Sequence, residues 1–95
     1  RLALIRFSHE LRDSAGAAAI QPLAAILRRE ASARHVRLLG PAPAPLAVLR
    51  GRKRYYCLLK GQDWTALRQI YFAALAAPES RHLRVFLDLN PVSML

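Results

Sequence analysis

At 95 residues the chain has room for one domain with a modest core. A hydrophobic content of 54% excludes compositional disorder, no apolar run approaches the ~18 residues of a membrane span, and a single cysteine, Cys57, excludes an internal disulfide or a cysteine-built zinc cage. Fifteen lysines and arginines against six acidic residues give a formal charge of +9, which favours polyanionic partners: nucleic acid, an anionic membrane surface or an acidic peptide.

Residues 2–8 (LALIRFS) form an apolar run rich in strand formers, with Arg6 pointing outward. A polar connection follows over 9–13, where Asp13 or Ser14 suits a helix N-cap. Residues 16–34 read as a helix whose Ile20, Leu23, Ala24 and Leu27 make one apolar face. Pro22 means that this helix either starts at Gln21 or is kinked there. Arg28, Arg29 and Arg34 complement the dipole at its C-terminal end.

Residues 35–39 alternate as a second strand, with Val36 and Leu38 on one face. Gly40 ends it. Pro41, Pro43 and Pro45 push their preceding residues into extended backbone, so 40–45 is a stiff arm. Residues 46–49 (LAVL) return as a hairpin strand, 50–54 form an exposed basic tip, and 55–60 make the third strand. Cys57 in that strand reads as a small buried hydrophobe of a reducing compartment. Asp63 caps a second helix, on which Trp64, Leu67, Ile70, Tyr71, Ala74 and Leu75 repeat at helical spacing up to Pro78. Residues 83–89 close the fold as a strand with Leu83, Val85, Leu87 and Leu89 on one face and Arg84, Phe86 and Asp88 on the other. The order is strand, helix, strand, strand, helix, strand. It predicts an α+β fold: a split βαβ, ferredoxin-like layout with helices on one face of a four-stranded antiparallel sheet and an extended basic hairpin.

Chemistry is sparse. No glycine pattern cradles a phosphate, no spacing selects a nucleophile–base pair, and His9, His35 and His82 have no metal-like spacing. The positive signal is Arg50, Arg52, Lys53 and Arg54, followed by Tyr55 and Tyr56. Cations at such a density meet successive phosphates and release counterions, and one of two neighbouring strand tyrosines must face away from the core, where a base can stack on it. The bland alternative is a solvated basic hairpin. Trp64 reads as a core or staple residue.

Three motifs in order resemble a known family. They are Leu39-Gly40-Pro41-Ala42-Pro43, Arg50-Gly51-Arg52-Lys53-Arg54-Tyr55 and Asp88-Leu89-Asn90-Pro91, and they are similar to those of the C-terminal domain of bacterial primosomal protein N′ (PriA), the replication-restart DNA helicases. Asn90 stands where that family usually has a second aspartate, which suits a strand-ending turn rather than a charged site. The resemblance implies that 1–95 is one C-terminal domain of a larger, cytoplasmic, nucleoid-associated helicase. A start at Arg1 directly in a strand agrees with that. The parent would unwind DNA in the 3′ to 5′ direction with ATP and magnesium, carry zinc, and act at stalled forks and D-loops. It implies a ribosomal-protein-like fold and a module that holds branched or single-stranded DNA. The nucleic-acid contacts carried over are Arg50, Arg52, Lys53, Arg54, Tyr55 and Tyr56. Other partners would be primosome proteins, the parent's helicase lobes and the acidic tail of single-stranded DNA-binding protein, for which Lys60 and Arg68 are the candidates. Three readings stand beside a DNA-binding domain: a docking module for an acidic peptide, a free-standing ribosomal or RNA-binding protein, and an independent enzyme.

Overall fold

The computed structural model describes residues 1–89 of the chain. The elements are β1 (Leu2–Glu10), α1 (Ser14–Ala33), β2 (Arg37–Leu49), β3 (Arg52–Lys60), α2 (Trp64–Ala76) and β4 (Arg84–Leu89), with a 3₁₀ turn at Pro78–His82 ahead of β4. The sheet order is β2-β3-β1-β4 and every neighbouring pair is antiparallel. Each helix therefore joins two strands that have a third between them, the split βαβ expected from the element order. Asn90-Pro91 of the third motif, and the tail at 92–95, lie outside the described residues.

Alternation decides what the helices cover. Ala3, Ile5 and Phe7 of β1 and Cys57 and Leu59 of β3 meet Ile20, Leu23 and Leu27 of α1 and Leu67 and Ile70 of α2 in one buried cluster. Leu83, just ahead of β4, and Val85, Leu87 and Leu89 within it pack against this cluster, as their spacing predicts. Trp64 also packs on this core, with the Arg1 guanidinium 5.7 Å above its ring.

Several boundaries differ from the sequence reading, each for a physical reason. Helix α1 starts at Ser14, because the Asp13 carboxylate accepts the Gly16 N–H at 3.0 Å. It passes through Pro22 unbroken. The proline deprives the Ala18 carbonyl of its donor, but both residues are exposed, so that carbonyl is open to solvent. The helix ends in a Schellman motif: Val36 N–H donates to Ala31 at 2.9 Å and His35 N–H to Ser32 at 3.2 Å. His35 holds the left-handed conformation (φ 56°) that this motif requires, so β2 begins at Arg37 rather than at His35. Arg34 is the C-cap residue and donates to the Glu30 carboxylate at 2.9 Å and to Gln69. Arg28 and Arg29 lie before the last turn, so they do not serve the dipole there.

Strand β1 runs on to Glu10, since His9 takes its turn on the helix side. His9 is buried, its Nδ1–H donates to the Glu10 carbonyl at 2.8 Å, and its ring lies 6.0 Å from that of Tyr55. Strand β2 is the largest difference. The proline arm is not separate from the hairpin but part of one 13-residue edge strand. Edge strands tolerate proline, whose missing N–H is wanted on one side only. The pairing of β2 with β3 shifts twice, between Leu39 and Ala42 and between Pro43 and Val48. In the second gap the Arg54 side chain donates to the Leu46 carbonyl at 2.9 Å, supplying a bond that the ladder lacks. The exposed tip expected over 50–54 shrinks to Arg50 and Gly51, both with positive φ (52° and 76°), as a two-residue type I′ turn requires. Arg52, Lys53 and Arg54 are residues of β3 and only partly exposed.

Cys57 is wholly buried, and that burial pushes its thiol up from 9.0 to about 12, against a smaller opposing pull from Arg28. Only the thiolate attacks alkylating reagents. Iodoacetamide at pH 8 is therefore expected to label Cys57 at least about a thousandfold more slowly in the folded chain than in urea, followed by mass spectrometry. Because the raised value favours the neutral form, the stability that this burial contributes is intact below pH 9 and falls as pH rises towards 12.

Candidate nucleic-acid interface

The helices leave one face of the sheet uncovered. Residues directly opposite one another on neighbouring strands share a face, so the register writes out this face row by row. One row across β3, β1 and β4 is Tyr56, Arg6, Phe86. The next is Arg54, Ser8, Arg84. Beyond it Glu10 stands opposite Arg52. With the β2–β3 turn and residues 11–12, these rows bound a cleft of about 820 Å³. Six arginines line it (Arg6, Arg12, Arg50, Arg52, Arg54 and Arg84), and Glu10 is the single carboxylate among its described lining residues. Concentrating one sign of charge in a concave wall raises the local potential for polyanions.

The arginines are of two kinds. Some are built into the sheet. Arg52 donates to the Ser8 hydroxyl at 3.1 Å and to the Ser8 carbonyl at 3.0 Å, with Glu10 at 4.0 Å. Arg54 holds Leu46, and Arg6 lies 3.4 Å from Asp88. Arg12, Arg50 and Arg84 are exposed, and their side chains form no hydrogen bond or ion pair with the described residues. They are free to take an anion without giving up an existing partner.

The residues singled out by sequence divide accordingly. Arg50, Arg52, Arg54 and Tyr56 all line the cleft. Tyr55 borders it, but its ring packs on the helix side, stacked 5.9 Å from Phe7, and the Lys53 ammonium lies 5.5 Å above that same ring. Lys53 and Tyr55 thus form a pair on the other side of the strand. Lys60 and Arg68 are exposed, neither lines the cleft, and they belong to different layers, Lys60 to β3 and Arg68 to α2. Sequence reading missed Arg6, Arg12, Arg84 and Phe86 as site residues. The period-2 pattern had put Arg6 outward and Arg84 with Phe86 on the non-core face, but only the pairing of β1 with both β3 and β4 joins them to the basic run. Among the described residues no three His, Cys, Asp or Glu side chains come together as a metal site. No helix of the described residues is long and apolar enough to cross a membrane.

Comparison with known proteins bears on the same residues. In fold the chain is similar to the de novo designed protein Ferredog-Diesel, with a TM-score of 0.60 over 94% of this chain and 85% of that one, at 10% identity. That likeness shows the ferredoxin-like arrangement alone. In sequence it is 31% identical over 98 residues to the replication restart protein PriA of Bacillus subtilis (strain 168), a match that takes in 99% of this chain and 12% of that protein. The chain thus spans about an eighth of the length of the relative it matches. The profile of the primosomal protein N C-terminal domain covers residues 1–92, which include all three motifs and every strand of the cleft. With its fold, its motifs and nearly its whole length accounted for, the chain belongs to the family of primosomal protein N C-terminal domains.

Proposed function

We propose that this chain is the non-catalytic DNA-binding and partner-docking domain of a primosomal replication-restart helicase, and that the helix-free face of its sheet is the DNA contact. The observation that carries this reading is the cleft in which six arginines oppose one carboxylate. Three of those arginines have no partner among the described residues, an arrangement suited to neutralising successive phosphates. No reaction is assigned to the chain itself. In the proposal the parent unwinds DNA in the 3′ to 5′ direction at stalled forks and D-loops. Its ATP, magnesium and zinc sit in other domains, and its helicase lobes and the other primosome proteins are neighbours of this one. A second reading, docking of the acidic tail of single-stranded DNA-binding protein, is favoured by the apolar Ala44 and Leu49 beside the arginines of the same cleft. The exposed Lys60 and Arg68 are its outlying cations.

The test is a salt titration of binding to labelled forked and single-stranded DNA. It uses the native chain and the triple variant Arg12→Gln, Arg50→Asn, Arg84→Gln. Asparagine is chosen at position 50 because it tolerates the left-handed turn. Three lost phosphate contacts reduce the slope of log K against log salt by about 2 on a single strand. Unchanged slope and affinity would remove the cleft from DNA binding. Saturable binding of an acidic, Phe-ended peptide would then put the docking reading first.

A further inference from the structure

We infer that the strand held in this cleft is unpaired, with two of its bases stacked on Tyr56 and Phe86 on either side of Arg6. The inference rests on the nucleic-acid reading above and adds what the cations alone do not specify. Phosphate contacts by arginine are indifferent to whether a strand is paired.

The register carries the argument. Arg6 is directly opposite Tyr56 on one side and Phe86 on the other, so two aromatic residues and a guanidinium stand in one row on the uncovered face. Strands lie about 4.8 Å apart, which separates the two aromatic positions by about 10 Å. That is beyond the reach of ring–ring stacking. Neither ring stacks on any other ring of the described residues, and Phe86 is 60% exposed, the largest exposure among the big apolar side chains described. Phe86 is thus largely open to a partner, and the half-buried Tyr56 lines the cleft without a ring stacked on it. The next row, Arg54 and Arg84, flanks Ser8 on the same two strands, so each aromatic position has a cation two residues away along its own strand. A base on the ring and its phosphate on the arginine fit that repeat.

The occupant follows from what nucleic acids can offer. In a duplex both faces of nearly every base are covered by the neighbouring pairs, so a duplex gives these rings only its ends. A single strand can splay its bases and surrender their faces to aromatic or guanidinium planes. The Asp88 carboxylate, 3.4 Å from Arg6 and opposite Leu4 in the neighbouring row, sets a negative charge at the end of the face away from the cleft's cations. The phosphate path is thereby confined to the side of Ser8 and Arg84.

The test compares three labelled probes of matched phosphate number over one series of salt concentrations: an oligothymidylate, an abasic strand and a blunt duplex. The full chain is used in native form and as Tyr56→Leu, Phe86→Leu and Tyr56→Phe. Leucine keeps an apolar side chain on the strand but removes the π-face. The native chain is expected to bind oligothymidylate at least about tenfold more tightly than the abasic strand, each leucine variant to lose about tenfold on oligothymidylate alone, and Tyr56→Phe to bind like the native chain. If the abasic strand binds as tightly as oligothymidylate while the salt slope persists, the stacking inference is overturned and the cationic cleft stands. If none of the three probes shows salt-dependent binding, both fall.

Discussion

Phe7→Ala is expected to lower the unfolding free energy by about 3–5 kcal/mol, a large share of the roughly 5–15 kcal/mol that a domain has. Phe7 occupies an inner strand of the sheet, is 1% exposed, belongs to the main buried cluster and stacks 5.9 Å from Tyr55. No flexible neighbour stands ready to fill the void, because the walls are strand and helix side chains already in contact. Phe7→Leu keeps most of the volume and should lose less than half as much. Urea unfolding followed by far-UV circular dichroism measures both. A loss under 1 kcal/mol for Phe7→Ala would mean that the ring is not where the packing is tight. The site is affected too. Arg6 and Ser8 flank Phe7 in sequence and face the cleft, so a β1 that settles into the cavity drags two residues of the cleft wall with it.

The second large effect is expected at Gly40→Ala. Gly40 has φ +97°, and a Cβ there would sit 2.8 Å from the Tyr56 carbonyl and 3.1 Å from the Ala42 nitrogen. Both obstacles are backbone and cannot rotate away. A left-handed alanine costs about 1–2 kcal/mol, and overpacking adds about 1–3 kcal/mol. Gly51→Ala separates these two costs. Its φ is also positive (+76°), but a Cβ there meets nothing within 4 Å, so only the conformational cost applies. Thermal unfolding should rank the native chain above Gly51→Ala and Gly51→Ala above Gly40→Ala. Equal losses for the two variants would refute the close approach of β2 to Tyr56. Since Tyr56 lines the cleft, the glycine of the Leu-Gly-Pro-x-Pro motif has a structural duty to the cleft wall although it does not line the cleft itself.

Much of this was legible in the chain. Helical spacing at Ile20, Leu23 and Leu27, and at Leu67 and Ile70, marked the covered face, and strict alternation from Leu83 to Leu89 sorted β4 correctly. Local signals failed where a tertiary partner made the decision. Prolines at 41, 43 and 45 look like a stiff arm until an adjacent strand makes them an edge. His35 looks like the start of a strand until the helix end needs a left-handed residue. Tyr55 and Tyr56 were known to face opposite ways, but which faced the core depended on the register with Phe7 and Arg6. The cleft itself draws on β1, the residues after it, the hairpin and β4, so no contiguous stretch of sequence contains it.

The prolines of β2 also bear on how the protein tolerates its own company. A sheet edge is a template on which another copy can grow, and the exposed Leu46, Val48 and Leu49 would reward such growth by burying apolar surface. Three of the thirteen residues along this edge supply no N–H, and the register slips twice beside them. A second strand would find an interrupted row of donors on a crooked edge. Growth of the sheet from this edge, copy upon copy, is thereby discouraged.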